Sequence, residues 1–153
     1  MKKILVLALS ALIFAAAASA QPRALGLRFG GAGYSGFAYG AEISYQHFCG
    51  PGFVEADFGW SSVGINGTAI WDWMALEARH VNLYIGPGVN VGLYETGDNS
   101  TTLCLGAVGQ IGVEYQFGTL PLNVSLDWRP GFYLLPSTRF SPYGVALGVR
   151  YRF

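Results

Sequence analysis

From residue 80 onward the chain alternates apolar and polar positions with a period of two. Tyr143, Val145, Leu147, Val149, Tyr151 and Phe153 fall on one face, with Gly144, Ala146, Gly148, Arg150 and Arg152 on the other. Leu122, Val124, Leu126, Trp128, Pro130, Phe132 and Leu134 alternate likewise with Asn123, Ser125, Asp127, Arg129, Gly131 and Tyr133. Leu103, Leu105, Ala107, Gly109, Ile111, Val113, Tyr115 and Phe117 alternate with Gly106, Gln110, Gly112, Glu114 and Gln116. Leu83, Ile85, Pro87, Val89, Val91 and Leu93 alternate with Asn82, Tyr84, Gly86, Gly88, Asn90 and Gly92. A strand turns successive side chains to opposite faces, so each run predicts a strand with one apolar side. In these four strands the apolar face carries no charge, whereas the other holds Glu114, Asp127, Arg129, Arg150 and Arg152.

The N-terminal half repeats the pattern less cleanly. Leu25, Leu27 and Phe29 flank Arg28; Ala41, Ile43 and Tyr45 alternate with Glu42, Ser44 and Gln46; Val54, Ala56, Phe58 and Trp60 alternate with Glu55, Asp57 and Gly59. Ile65, Gly67, Ala69, Trp71 and Trp73 alternate with Asn66, Thr68 and Asp72, although Ile70 and Met74 break the polarity of that side. The count is eight strands. Residues 49–52 and 118–121 read as tight Gly/Pro turns, and residues 96–101 and 136–142 as longer polar loops at the opposite end; residues 76–80 give no clear signal. Pro87 and Pro130 sit inside strands, where proline cannot donate to the ladder, so each is expected to mark a bulge or a strand's upper end.

Alternation alone does not say which face is out. The uncharged face is continuous and aromatic, while the other is too charged and glycine-rich for a dry core, so the apolar face is expected to meet lipid. No apolar run after residue 20 is long enough for a spanning helix. A sheet closed on itself is then the remaining way to satisfy every backbone group in a bilayer. The predicted fold is all-β, an eight-stranded antiparallel transmembrane barrel, with both ends in the periplasm because the strand count is even.

The first twenty residues have the anatomy of a secretory signal. Lys2 and Lys3 precede an apolar stretch from Ile4 to Ala18, and Ala18-Ser19-Ala20 makes a small-residue cleavage site. A single helical anchor is the rival reading, but the stretch is short and lacks a basic stop-transfer flank. The expected organisation is a signal peptide over 1–20 and a barrel domain over 21–153, located in the bacterial outer membrane. No Cys follows the cleavage site, so lipid attachment there is not expected. The remainder would carry seven Arg, nine acids and no Lys, a net charge of −2. That gives no reason to expect a nucleic-acid partner. Cys49 and Cys104 should stay unbridged: the barrel places them about 25 Å apart along its axis, whereas a disulfide needs Cα atoms within roughly 7 Å.

Candidate chemistry concentrates on the inward face. Arg28, Glu42, Glu55, Asp57, Asp72, Glu114, Asp127, Arg129, Arg150 and Arg152 could line a polar path or form an interior salt-bridge network. An eight-stranded barrel is just wide enough for its side chains to fill, and buried charges must pair, so the network is the reading preferred. The inward glycines could leave a ligand-sized cavity, or they could relieve strand coiling and admit Tyr84, Tyr94 and Tyr133. Tyr45, Trp71, Trp73, Tyr115, Phe117, Tyr151 and Phe153 gather near the periplasmic end, where an interfacial girdle explains them without a ligand. His47 and His80 are the only imidazoles, and neither has a Ser two residues on. No Ser–His–Asp relay is apparent, and no catalytic, metal or cofactor site is expected.

The stretches Gln110–Phe117, Pro121–Pro130 and Leu147–Phe153, with Ile85-Gly86-Pro87-Gly88, resemble the small outer-membrane β-barrel family that includes opacity proteins and OmpX-like barrels, most closely the variants common in Bacteroidota. The resemblance spans the chain after the signal, its specific stretches lying after residue 80. It implies outer-membrane location and fold, and a C-terminal assembly signal read by the barrel-assembly machinery, which falls here on Val149, Tyr151 and Phe153. It does not imply one activity. A non-enzymatic scaffold or surface-interaction protein, monomeric in outer-membrane lipid, is the leading expectation. A narrow porin-like conduit, or a binder of a small apolar ligand, is the second. A lipid-modifying enzyme is a distant third.

Overall fold

The structure, a computed structural model, describes residues 23–31, 39–96 and 100–153. The expected signal peptide over 1–20 lies outside the described residues, as does the centre of the expected loop at 96–101. Ten ladder segments follow in order: β1 (Arg23–Gly31), β2 (Tyr39–Cys49), β3 (Gly52–Ser61), β4 (Gly64–Ala78), β5 (Val81–Thr96), β6 (Ser100–Gln116), β7 (Leu122–Trp128), β8 (Gly131–Leu135), β9 (Arg139–Ser141) and β10 (Val145–Arg152). They make eight wall strands, since β8 continues β7 beyond Pro130 and β9 leads into β10.

All pairings are antiparallel, in the order β5-β4-β3-β2-β1-β10-β7-β6, and the β5–β6 pairing closes the ring. At the seam Leu25 to Gly30 pair with Tyr151 to Ala146, so the last strand lies beside the first as the alternation requires. Closure gives each wall strand two hydrogen-bonded neighbours, which is what a sheet needs to avoid open edges. Arg23 and Phe153 extend this seam with reciprocal backbone bonds of 3.0 and 2.8 Å.

The facing follows the sequence parity. Leu27, Phe29, Phe58, Ile85, Val89, Val91, Leu105, Leu126, Leu147 and Val149 all point outward and stand about half exposed. Arg28, Glu42, Glu55, Asp57, Asp72, Glu114, Asp127, Arg129 and Arg150 point inward and are buried. Ile70 is buried on the inward side too, so its break in polarity is real and not a change of register.

Three local expectations are corrected. The unclear stretch at 76–80 is the end of β4: a register shift between Met74 and Leu76 turns Leu76 outward opposite Leu83, and Arg79 makes the turn at φ 35°. The supposed loop at 136–142 contains β9, because Phe132 and Phe140 pair across a short hairpin with Gly131 opposite Ser141. Pro87 marks neither a bulge nor a strand end. Pro130 does as expected: β7 stops just before it, and the pairing slips by one residue across it, from Trp128 opposite Val145 to Gly131 opposite Ser141. Pro130 separates β7 from β8, while Pro87 stays within β5 opposite Gly109. The ladder bridges the first break, as the Gly109 N–H donates to the Pro130 carbonyl at 2.9 Å and the Arg129 N–H to that of Gly144 at 2.7 Å.

Candidate functional site

The interior is layered. Its middle holds a continuous chain of charges contributed by facing strands. Arg28 on β1 donates through Nε to both carboxylate oxygens of Asp127, at 3.1 and 3.2 Å, and through its terminal nitrogens to Asp127 and Glu42. Arg129, between β7 and β8, places Nη2 at 2.8 Å from Glu55 and 2.7 Å from Asp57, with Nη1 3.6 Å from Glu42. Arg150 on β10 pairs with Glu55 at 3.1 Å and donates to the hydroxyls of Ser44 and Ser125 at 2.8 and 2.7 Å. Glu42 and Glu55 thus link three arginines into one cross-lumen network. Planar guanidinium forks suit such multiple pairing.

Amides fill the gaps. Gln110 accepts from Arg129 Nε at 2.7 Å, and its own amide nitrogen lies 3.3 Å from both Glu55 and Asp72. Gln46 donates to Glu55 at 2.7 Å. Asp72 therefore touches the network through Gln110, not through an arginine. Below, towards the end of the barrel that holds Arg23 and Phe153 (the terminal end), Glu114 accepts from Asn123 and Gln116 at 2.6 Å and from Asn82 at 3.4 Å. The expectation that Glu114 reaches the arginines is corrected: β5 sets Asn82 directly opposite it, β7 offers Asn123 from the position paired with Gln116, and these amides satisfy it. Arg152 at the rim joins no ion pair among the described residues.

Apolar groups close both sides of the charged layer. Phe53 and Tyr84 meet edge-on at 5.2 Å between centroids, and Gly112 gives the Tyr84 ring its space, since a Cβ there would run into it. At the other end (the loop end) Tyr94, Cys104 and Tyr133 cluster with Val63. Here Gly92, Gly106 and Gly131 make room for the two rings. Gly92, Gly106, Gly112 and Gly131 thus serve aromatic packing, whereas a Cβ at Gly86, Gly88 or Gly144 would run into the backbone of the neighbouring strand and one at Gly148 into Ser125 and Arg150. The void beside Glu42, Asn66 and Tyr94 is only about 10 Å³, roughly one water's worth.

The remaining candidates separate from this interior. Trp71 and Trp73, Tyr115 and Phe117, and Tyr151 and Phe153 form ring pairs along the strands near the terminal end. The Nδ1 of His47 lies 3.3 Å from Arg23 and 3.4 Å from the Tyr45 hydroxyl, while His80 packs beside Tyr115. Both cysteines are free, Cys49 in the terminal-end turn and Cys104 within the lumen. Among the described residues no cluster of His, Cys, Asp and Glu has metal-binding geometry. Sequence parity had placed Ser44, Gln46, Gln110, Asn123 and Ser125 on the inner face without marking them as partners of the charges. Phe53 it missed altogether.

No family model and no curated protein matches the chain. Among solved structures it is similar to the crystal structure of Neisserial surface protein A, with 18% sequence identity and a TM-score of 0.51, over 87% of this chain and 96% of that one. At that identity the likeness speaks for the fold alone: an all-β, closed, eight-stranded antiparallel barrel.

Proposed function

We propose that this chain is an integral outer-membrane β-barrel with a plugged interior, acting without catalysis as a membrane scaffold or surface-interaction protein. The carrying observation is the lumen: the arginine–carboxylate network spans it and aromatic layers cap it. Membrane placement rests on the outward belt, where exposed Leu, Val, Ile and aromatic side chains would be costly in water. The outer membrane is the compartment that matches a closed barrel with an inward polar face. Outer-membrane lipid is its constant partner, and the barrel acts as a monomer because the ring leaves no unpaired wall edge. The strand from Val145 to Phe153, with Val149, Tyr151 and Phe153 outward, is proposed as the segment read by the assembly machinery. The likeness to opacity and OmpX-like barrels remains the family reading, and the protein needs no cofactor.

The second reading is a narrow conduit, favoured only by the polar character of the lumen. Single-channel recording in planar bilayers separates the two. A plugged barrel conducts poorly, and sustained, well-resolved openings from the unmutated protein would overturn the scaffold reading.

A further inference from the structure

The outward wall is not uniformly filled. Across four adjacent strands, Trp73, Ile85, Ile111 and Trp128 stand in one lateral row, each paired with the next. Three inter-strand steps set the two tryptophans about 14 Å apart along the row. The row above it is thin: Pro87 is paired with Gly109, whose N–H donates to the carbonyl of Pro130. A Cβ built on Gly109 would meet nothing within 4 Å. The result is a groove of about 540 Å³, floored at Gly109 and bounded by the prolines and the two indoles. Its volume lies within the roughly 300–1,000 Å³ of small-molecule pockets, although it opens outward and not into the lumen.

Chemistry narrows the occupant. The lining side chains are apolar except for Gln110, whose amide is engaged inside by Arg129, Glu55 and Asp72. The Trp128 N–H donates to the Pro142 carbonyl at 2.7 Å, so that indole brings no free donor to the groove. The groove is continuous with the outward belt: Val89, Ala107 and Phe132 form the next row above it, and Val113 and Leu126 lie in the row below. A hydrocarbon chain needs none of the polar partners this surface lacks. We propose that the groove is a fixed binding site for one acyl chain of a membrane phospholipid, held between Trp73 and Trp128 over Gly109. This rests on the membrane reading and adds to it a defined lipid site.

The test uses the full chain reconstituted in phosphatidylcholine vesicles with a rising fraction of dibrominated acyl chains, which quench nearby indoles. One reporter carries Trp60→Phe and Trp71→Phe, leaving the groove pair. A second carries Trp71→Phe, Trp73→Phe and Trp128→Phe, leaving Trp60, an exposed outward residue away from the groove. Quenching of the groove pair should follow a single-site curve, and that of Trp60 a curve for several exchanging neighbours. Gly109→Leu should fill the groove and convert the first curve to the second type; Gly109→Ala, which meets open space, serves if the leucine variant does not fold. Identical multi-neighbour curves for both reporters, unchanged at Gly109, overturn the lipid site and leave the membrane reading intact. Absence of quenching from both reporters overturns both readings. Shielding of the groove pair alone, in a protein that runs as a dimer, gives the groove to a second copy and overturns the proposal.

Discussion

At the scale of single residues, the interior is governed by what each buried charge is given in exchange for water. Asp127 and Arg28 are both buried and make a forked pair across the β1–β10–β7 wall. Removing one member leaves the other without its principal counter-charge, a loss that typically costs about 3–5 kcal/mol. Asp127→Ala is therefore expected to lower the unfolding free energy by that amount in urea titrations from lipid vesicles. An unchanged midpoint would mean that Arg28 is satisfied elsewhere. Parity identifies which of these residues turn inward, but it does not reveal that Arg129 chooses Glu55 and Asp57 while Glu114 is left to amides. Partner choice across a lumen depends on residues tens of positions apart meeting at one height. No local pattern carries that information.

At the scale of elements, strands were legible wherever one face is consistently apolar. The seam between β1 and β10 and the outward facing of Leu126, Leu147 and Val149 follow from period two alone. Leu126→Arg should therefore put a charge on the lipid side of β7, costing ~2–4 kcal/mol if the position lies near the bilayer midplane. The measure is the shift in folding free energy in vesicles; a variant as stable as the parent would mean that the outward face does not meet hydrocarbon. Legibility failed where aperiodic residues do the shaping. The register shift at Met74/Leu76 flips the end of β4 between faces, which period counting takes as loss of the strand. The proline in Arg129-Pro130 interrupts one ladder without moving the chain out of the wall, because Gly109 still donates to the carbonyl beside it.

At the scale of the whole molecule, the barrel has two distinguishable ends. Cys49 lies half-buried in the turn at the terminal end, and Cys104 is buried inside near the other. With the terminal end in the periplasm, a membrane-impermeant maleimide should spare both thiols on intact cells and modify Cys49 alone once the outer membrane is breached. Labelling of Cys49 on intact cells would reverse the orientation, and labelling of Cys104 without denaturation would show that the aromatic cap opens. The scale also bears on conduction, since an ion must displace the linked arginines and then pass Tyr94 and Tyr133.

The backbone bonds between Arg23 and Phe153 make the start of the chain topologically arbitrary. A short linker from Phe153 to Arg23, with the chain cut between Gly50 and Pro51, would give a circular permutant of residues 23–153 with every inter-strand pairing intact. Refolded from denaturant into vesicles, it should regain the parent's β-sheet spectrum, because closed sheets have no first strand. Delivered in cells behind an export signal, it meets a different demand, for β2 and not β10 is now synthesised last. If assembly reads Val149, Tyr151 and Phe153 as a terminus, the permutant should fold in the test tube and fail to be inserted in the cell. Equal success in both settings would show that the machinery recognises the finished pattern of the wall and not the point at which synthesis stops.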